Sequence, residues 1–278
     1  MSDDPFREER ARQHEERIRQ YNAERAAQAA KEEEKRLLWE AAIRTNAPKW
    51  FHHPVSPTVA KLLTGPSADE GGNTPSESGW LRQLDSMRAW IKAAWEHSGV
   101  GPRHAARFEN QHPEWQKVFD HLRGLLGTGF LVAILGPRGT GKSQLGACLC
   151  RAEIERCPSS HPFLSSPVKY MTVMDFFLQV KATFKNDSSK SEQSILQSLE
   201  SPRLLVLDEV QERTGSDFEN RLLTHLVDAR YQAKRDTLLI GNLSAAALAE
   251  SLGPSIASRM EECGGAIKME WDSFRGTQ

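Results

Sequence analysis

The sequence has few apolar residues for its length. Of its 278 residues, 38% are apolar, and no uninterrupted apolar run approaches the roughly 18 residues that a membrane-spanning helix needs. We therefore expect neither an integral membrane protein nor a chain that is packed core throughout. The opening residues, Met1 to Pro5, are acidic and precede no apolar segment, so the sequence predicts no secretory signal and a cytoplasmic location.

The sequence also has only four cysteines and a net charge close to zero. The cysteines show no paired C-x-x-C spacing, which argues against a zinc ribbon and against a disulfide framework. They are Cys148, Cys150, Cys157 and Cys263. The 36 basic and 37 acidic side chains give a formal charge of −1, which argues against a generally basic nucleic-acid coat protein. Any DNA binding is therefore expected to be local.

The shortage of apolar residues is concentrated before residue 98. Residues 1–63 are highly charged and rich in helix formers, and we expect a helical arm that is either solvated or binds a partner. Residues 64–79 are rich in Gly, Pro and Ser and predict a flexible linker. Residues 80–97 carry an apolar stripe at helical spacing, which predicts an amphipathic helix packed on the core or on another chain.

Residues 98–278 alternate short apolar segments with helical patterns, as expected for a parallel sheet covered by helices on both faces. The predicted strands are 130–135, 168–173, 204–207, 237–240 and 266–271. The predicted helices are 113–126, 143–156, 175–184, 218–233, 245–252 and 255–262.

The strongest motif follows the first of these strands. Gly136–Ser143 reads GPRGTGKS and fits G-x-x-x-x-G-K-[ST], the Walker A loop, in which backbone N–H groups and a helix N-terminus bind phosphate. Lys142 would place its charge near the β and γ phosphates, and Ser143 would offer a hydroxyl to Mg²⁺. The residues predicted to bind ATP are Gly136, Pro137, Arg138, Gly139, Thr140, Gly141, Lys142, Ser143 and Gln144.

A second motif ends the third strand with two acids. Leu204–Glu209 reads LLVLDE, which matches a Walker B motif. Asp208 would hold Mg²⁺, and Glu209 would polarise an attacking water. The adjacent acid pair favours nucleotide hydrolysis over phosphoryl transfer to a small acceptor.

Two weaker candidates lie further along the chain. Asn242 follows the fourth strand, where a polar side chain can sense the γ-phosphate or the attacking water. Arg259 precedes the last strand and is a candidate arginine finger that acts on the nucleotide of a neighbouring subunit. Each is weak alone, because Asn often only starts a turn and an isolated Arg is usually a surface charge.

With these motifs the sequence resembles the AAA+ ATPases of the DnaC/IstB group, most of all the DnaC-type replicative helicase loaders. The resemblance covers about residues 99–276. Besides the two Walker motifs, it is carried by FEN at 108–110, VMDFFLQVKATFKN at 173–186, VDAR and a following Tyr at 227–231, ASRM at 257–260 and WDSFR at 271–275.

This resemblance implies an α/β P-loop NTPase fold of three αβα layers. Its parallel sheet would have the strand order 5-1-4-3-2, and the usual helical lid after the fifth strand would be missing. It implies that Lys142, Glu209, Asn242 and Arg259 serve catalysis. The sensor-2 arginine is unassigned, with Arg275 a weak candidate. An extra Arg that the family often has before the finger is replaced by Gly-Pro-Ser at 253–255.

The family's DNA-binding helix maps onto residues 173–185. There Phe177, Lys181, Phe184 and Lys185 are predicted to contact single-stranded DNA, because cations and aromatic faces suit that ligand. The alternative is that the aromatic residues at helical spacing are core.

The function implied is ATP-dependent loading of a replicative DNA helicase during replication initiation. The expected partners are a hexameric helicase, gripped by the N-terminal helices, single-stranded DNA, and further copies of the chain in a spiral or ring of roughly six subunits. The cofactors expected are ATP and Mg²⁺. Two alternatives stay open: an IstB-like transposition helper ATPase, and a nucleotide-gated helicase adaptor with little turnover.

Overall fold

The structure, a computed structural model, describes residues 77–105, 112–156, 166–184 and 190–274. The predictions for the arm, for nearly all of the linker, for 108–110, and for Lys185 and Arg275 concern positions outside these residues. None of the helices in the described ranges is long and apolar enough to cross a membrane.

The described residues alternate strands and helices as the sequence predicts. The strands are β1 (Leu131–Leu135), β2 (Val168–Thr172), β3 (Leu204–Asp208), β4 (Asp236–Gly241) and β5 (Gly264–Lys268). The helices are α1 (Glu77–Glu96), α2 (Pro102–Ala105), α3 (Pro113–Leu125), α4 (Lys142–Arg156), α5 (Val173–Ala182), α6 (Glu192–Glu200), α7 (Asp217–Gln232), α8 (Ala245–Leu252) and α9 (Pro254–Cys263).

The five strands form one parallel sheet in the order β2-β3-β4-β1-β5. This is the predicted order 5-1-4-3-2 read from the other edge. β4 lies between β1 and β3, with Leu135 of β1 opposite Gly241 of β4. The carboxyl ends of β1, β3 and β4 are therefore adjacent, which is where open α/β sheets bind ligands.

The sheet is covered on both faces, which confirms the three-layer architecture. Alternate strand residues enter two separate hydrophobic clusters, as the two-residue period of a strand requires. One cluster joins Leu205 and Leu207 to α5, α6, α7, α8 and α9. The other joins Leu204 and Val206 to α1, α3 and α4.

Helix α1 belongs to this core at its C-terminal end. Trp90, Ile91 and Ala94 are each 3–4% exposed and lie in the same cluster as residues of α4. For these three side chains the core alternative is confirmed. The helix begins at Glu77, inside the segment predicted as linker.

Some boundaries differ from the predictions for identifiable reasons. Helix α5 begins at Val173 rather than 175, because Thr172 is its N-cap and accepts a hydrogen bond from the Asp175 amide. Helix α6 was not predicted; it begins after Ser191, which exchanges side-chain-to-backbone bonds with Ser194. Strand β5 ends at Lys268, not at 271, since the chain then turns toward the Walker A loop.

One buried cation stabilises the opposite end of the sheet. The Arg230 guanidinium donates to the carbonyls of Leu199, Pro202 and Asp236 at 2.5–3.0 Å. Burial lowers its pKa to about 9. The residue thus ties the segment before β3 to the start of β4, a structural role that sequence reasoning missed.

Candidate ATP site

The Walker A loop connects β1 to α4 and is held by its own lysine. Lys142 is 6% exposed, and its Nζ donates to the carbonyl oxygens of Gly136 at 2.8 Å and Pro137 at 2.6 Å. Gly139 and Gly141 have φ of 93° and 88°, the left-handed region that favours glycine. A phosphate would replace two neutral carbonyls as acceptor for the Lys142 ammonium, a stronger charge-assisted interaction.

The two residues after the lysine point to different neighbours. The Gln144 side-chain amide donates to the His104 carbonyl at 3.2 Å, which links α4 to α2. The Ser143 hydroxyl interacts with Tyr170 on β2. Ser143 is therefore near Tyr170 of β2, the strand next to the Walker B strand.

Tyr170 connects the two Walker motifs. Its hydroxyl donates to Asp208 Oδ2 at 2.5 Å, while Asp208 Oδ1 accepts from the Glu209 amide at 2.7 Å. Burial, and then the Asp208 carboxylate, hold the pKa of Tyr170 far above its usual value, so the phenol remains a donor. Sequence reasoning missed this residue, which reads as one aromatic position in an apolar strand.

The donor set around Tyr170 fits a magnesium ion. It combines the Ser143 hydroxyl with the buried Asp208 carboxylate, and oxygen ligands of this kind suit Mg²⁺. No group of three or more His, Cys, Asp or Glu side chains in the described ranges could hold a metal. A magnesium ion at Ser143 and Asp208 would therefore take its other ligands from phosphate and water.

Glu209 stands beside this pair in an unusual backbone conformation. Its φ is 55°, and its side chain is exposed. Partial desolvation, and then the carboxylates of Asp208 and Glu212, raise the pKa of Glu209, while Arg138 opposes the shift. A carboxylate with a raised pKa is a better proton acceptor than an ordinary glutamate.

Asn242 follows β4, the strand between the two Walker strands. The backbone amide of Asn242 donates to Gln211 Oε1 at 3.1 Å, and the backbone amide of Val210 donates to the Ile240 carbonyl at 3.0 Å. These bonds join the turn after β3 to the end of β4. The structure therefore brings the Asn242 backbone close to the Walker B turn and adds Gln211, which the motif gave no reason to select. The role of the Asn242 side chain as a sensor stays a prediction.

Arg259 lies elsewhere in the same chain. Its Nη2 is 3.1 Å from Asp228 Oδ1, its Nη1 donates to the Ser255 carbonyl at 2.9 Å, and its guanidinium lies 5.5 Å from the centre of the Tyr231 ring. These partners belong to α7 and α9. The structure does not join Arg259 to the Walker residues of its own chain.

The predicted DNA contacts separate into two groups. Phe177 is 1% exposed and packs in the core, so the prediction that it contacts DNA is wrong and the core alternative holds. Phe184 is 60% exposed and meets Phe218 edge to face. Lys181 Nζ is 3.4 Å from Glu219 Oε1. The helical spacing of these aromatic residues shows which of them share a face of the helix. It does not show which face packs against the sheet, so it could not tell that Phe177 is buried.

Three aromatic residues contact the outside of the Walker A loop. We call residues 269–274 the C-terminal strap. Within it Trp271 Nε1 donates to the Thr140 carbonyl at 3.0 Å, and the Phe274 amide donates to the Gly139 carbonyl at 3.0 Å. From α3, Trp115 Nε1 donates to the Gly141 carbonyl at 3.1 Å.

A family model described as IstB-like ATP binding protein matches residues 108–260. The chain belongs to this family. Its Walker A loop, Walker B strand, Asn242 and Arg259 all lie within the matched residues.

Two relatives of the chain are named for helicase loading. The chain is 29% identical over 195 residues to the replicative helicase loader DnaC of Escherichia coli K12, covering 66% of this chain and 76% of that protein. It is 31% identical over 142 residues to the DnaC of Buchnera aphidicola from Acyrthosiphon pisum, covering 50% of this chain and 54% of that protein.

A solved structure supports the α/β fold. AMPPCP-bound DnaA from Aquifex aeolicus superposes with a TM-score of 0.50 at 20% identity, over 62% of this chain. The chain spans about half of that protein's length, 52%. The likeness is one of overall fold.

Proposed function

We propose that this chain binds ATP with Mg²⁺ at residues 136–143 and hydrolyses it. The observation that carries the proposal is the Tyr170 phenol, which donates to Asp208 of the Walker B motif at 2.5 Å. Burial raises the pKa of this phenol, and the Ser143 hydroxyl of the Walker A motif opposes that shift, so we infer that Ser143 and Asp208 would hold Mg²⁺ together, with Glu209 next along the chain.

Each site residue then has a chemical role. Lys142 moves from the loop carbonyls to the phosphate oxygens, where it stabilises the charge of the transition state. Ser143 and Asp208 hold Mg²⁺, which neutralises phosphate charge when bound. Glu209 accepts a proton from the attacking water, and Asn242 orients that water from the neighbouring strand end.

A complete site requires a second subunit. Arg259 contacts none of the Walker residues of its own chain, and its partners lie on α7 and α9. In the proposed spiral or ring it reaches the γ-phosphate bound by the next subunit, as an arginine finger supplied in trans does. Its ion pair with Asp228 holds it until then.

The wider function we propose is loading of a hexameric replicative helicase onto single-stranded DNA. The names of the curated relatives support it. The arm before residue 77 grips the helicase, while Lys181 of α5 and Phe184, just after that helix, meet the DNA. The second candidate is a helper ATPase for a transposase, which the name of the matching family model favours.

A loading assay tests the proposal. The full chain, ATP and the replicative helicase of the same organism are mixed with circular single-stranded DNA, and helicase retained on the circle is measured. We expect ATP-dependent retention, its loss in Lys142→Ala because the phosphate contact charge is missing, and no change in Lys117→Ala, an exposed lysine of α3.

Nucleotide affinity is measured for the same variants. Unchanged affinity in Lys142→Ala would refute the P-loop assignment. Capture of a transposase but not of the helicase would establish the second candidate. Loading that needs ATP binding but survives without turnover would identify the adaptor.

A further inference from the structure

The C-terminal strap lies against the Walker A loop and donates hydrogen bonds to its carbonyls. Met269 is fully buried, and its amide donates to the Leu135 carbonyl at 2.7 Å, directly before the loop begins. Further on, the Trp271 and Phe274 rings both face His112, with centroids 5.0 and 5.6 Å from its ring. The strap is therefore anchored independently of any ligand.

The contact leaves no space between strap and loop. A Cβ added at Gly136 would lie 2.3 Å from the Met269 carbonyl oxygen, and one added at Gly139 would lie 1.9 Å from Ser273 Oγ. Glycine at these positions thus permits the approach of the strap as well as the backbone turn.

Three consecutive carbonyls of the loop accept hydrogen bonds, two from the strap and one from α3. Those of residues 139, 140 and 141 accept, in order, from the Phe274 amide, the Trp271 indole and the Trp115 indole. A peptide unit is planar and trans, so its C=O and its N–H point in opposite directions. Holding a carbonyl outward therefore turns the N–H of the following residue inward.

We propose that the C-terminal strap is a positioning element for phosphate binding, in which Trp271 and Phe274, together with Trp115, aim the amides of residues 140–142 at the nucleotide. The inference rests on the ATP binding proposed above and adds residues outside the Walker motifs to it. The benefit is preorganisation: the loop is ordered before the ligand arrives, so binding does not spend free energy on ordering it.

The test removes one donor and keeps the ring. Trp271→Phe loses the indole N–H but retains an aromatic ring for His112. The matched control is Trp90→Phe, since Trp90 is also buried and its Nε1 has no hydrogen-bond partner among the residues that the structure describes. Affinity is measured by calorimetry for ADP and for inorganic tripolyphosphate, and the melting temperature is measured without ligand.

We expect Trp271→Phe to weaken both ligands by the same factor, roughly threefold to tenfold, as for loss of one intramolecular hydrogen bond. Trp90→Phe is expected to bind both as the unsubstituted chain does. An equal loss of affinity for the two ligands would show that Trp271 acts on the backbone amides that bind phosphate. A contact to the base or sugar would weaken ADP alone, because tripolyphosphate has neither group.

Three results would overturn the proposal. One is affinity in Trp271→Phe equal to that of Trp90→Phe, and another is a loss confined to ADP. If Trp271→Phe fails to fold, Trp115→Phe is the second variant, and unchanged tripolyphosphate affinity there is the third. Failure of the unsubstituted chain to bind ADP would refute the nucleotide site itself, and the strap proposal with it.

Discussion

Glu209 combines an unfavourable backbone conformation with a carboxyl of raised pKa. A non-glycine residue at φ 55° is uncommon, and here its amide donates to the carboxylate of Asp208. That bond offsets part of the conformational cost. The Walker B motif predicts that this residue is a glutamate, but it does not predict its left-handed backbone conformation. That conformation accompanies the hydrogen bond from the Glu209 amide to the Asp208 side chain, which the motif does not reveal.

Glu209→Gln is expected to bind ATP and to lower turnover about 100-fold or more, because a carboxamide is a poor base. The matched control is Glu212→Gln, a nearby exposed carboxylate that lies 3.6 Å from Arg138. Steady-state hydrolysis and nucleotide affinity are measured for both. Turnover at the unsubstituted rate in Glu209→Gln would remove it from the mechanism.

The raised pKa of Glu209 predicts the acid limb of the pH profile. Only the ionised carboxylate accepts a proton, so turnover falls as the pH falls through the pKa of Glu209. Because that pKa is raised, the fall occurs at a higher pH than for an ordinary glutamate, whose pKa is about 4.3. Glu212→Gln removes one of the negative charges that raise the pKa, so we expect its acid limb to move to lower pH. An unmoved limb would show that another group titrates.

At the scale of elements, α7 and α9 hold the proposed arginine finger between them. Asp228 and Tyr231 of α7 contact Arg259 of α9. Tyr231 also donates to Glu262 of α9 at 2.9 Å. The two helices therefore present Arg259 in a defined position although it is a quarter exposed, 24%.

Arg259→Ala is expected to lower turnover of the assembled protein about 1,000-fold while leaving the affinity of the isolated subunit unchanged. The control is Arg221→Ala, an exposed arginine of α7 that does not contact Arg259. Hydrolysis is measured against protein concentration. An equal loss of affinity in the dilute monomer would show that Arg259 acts within its own chain.

The elements also show what the sequence can and cannot predict. Strands such as Leu204–Asp208 are predicted because they are continuous apolar runs that end in charged residues. Helix α6 was missed, since its cap pairs Ser191 with Ser194 rather than with Glu or Gln. The strap was recognised only as a family-like segment, because its bonds to the Walker A loop join residues about 130 positions apart.

At the scale of the whole molecule, we propose that the motor can be separated from the partner-binding arm. The described core closes around its own two hydrophobic clusters from Trp90 onward. The basic and acidic side chains nearly cancel over the chain, 36 against 37, so no excess positive charge attracts DNA to the whole molecule.

Removal of residues 1–76 is therefore expected to leave ATP binding intact and to abolish capture of the helicase. Pull-down of the helicase by the full chain and by 77–278, with calorimetry on both, measures the two properties. Capture by 77–278 at the level of the full chain would place the partner surface on the ATPase core instead.

Helix α1 connects the two parts in a mechanical sense. Its 20 residues span about 30 Å, and its C-terminal end packs on α4, the helix whose first residue is Lys142. A tilt of about 10° at that anchored end displaces the other end by about 5 Å, simply from the length of the helix. If the arm grips the helicase as proposed, helix α1 would act as a lever, since a small shift of α4 at its anchored end would displace its other end by that distance.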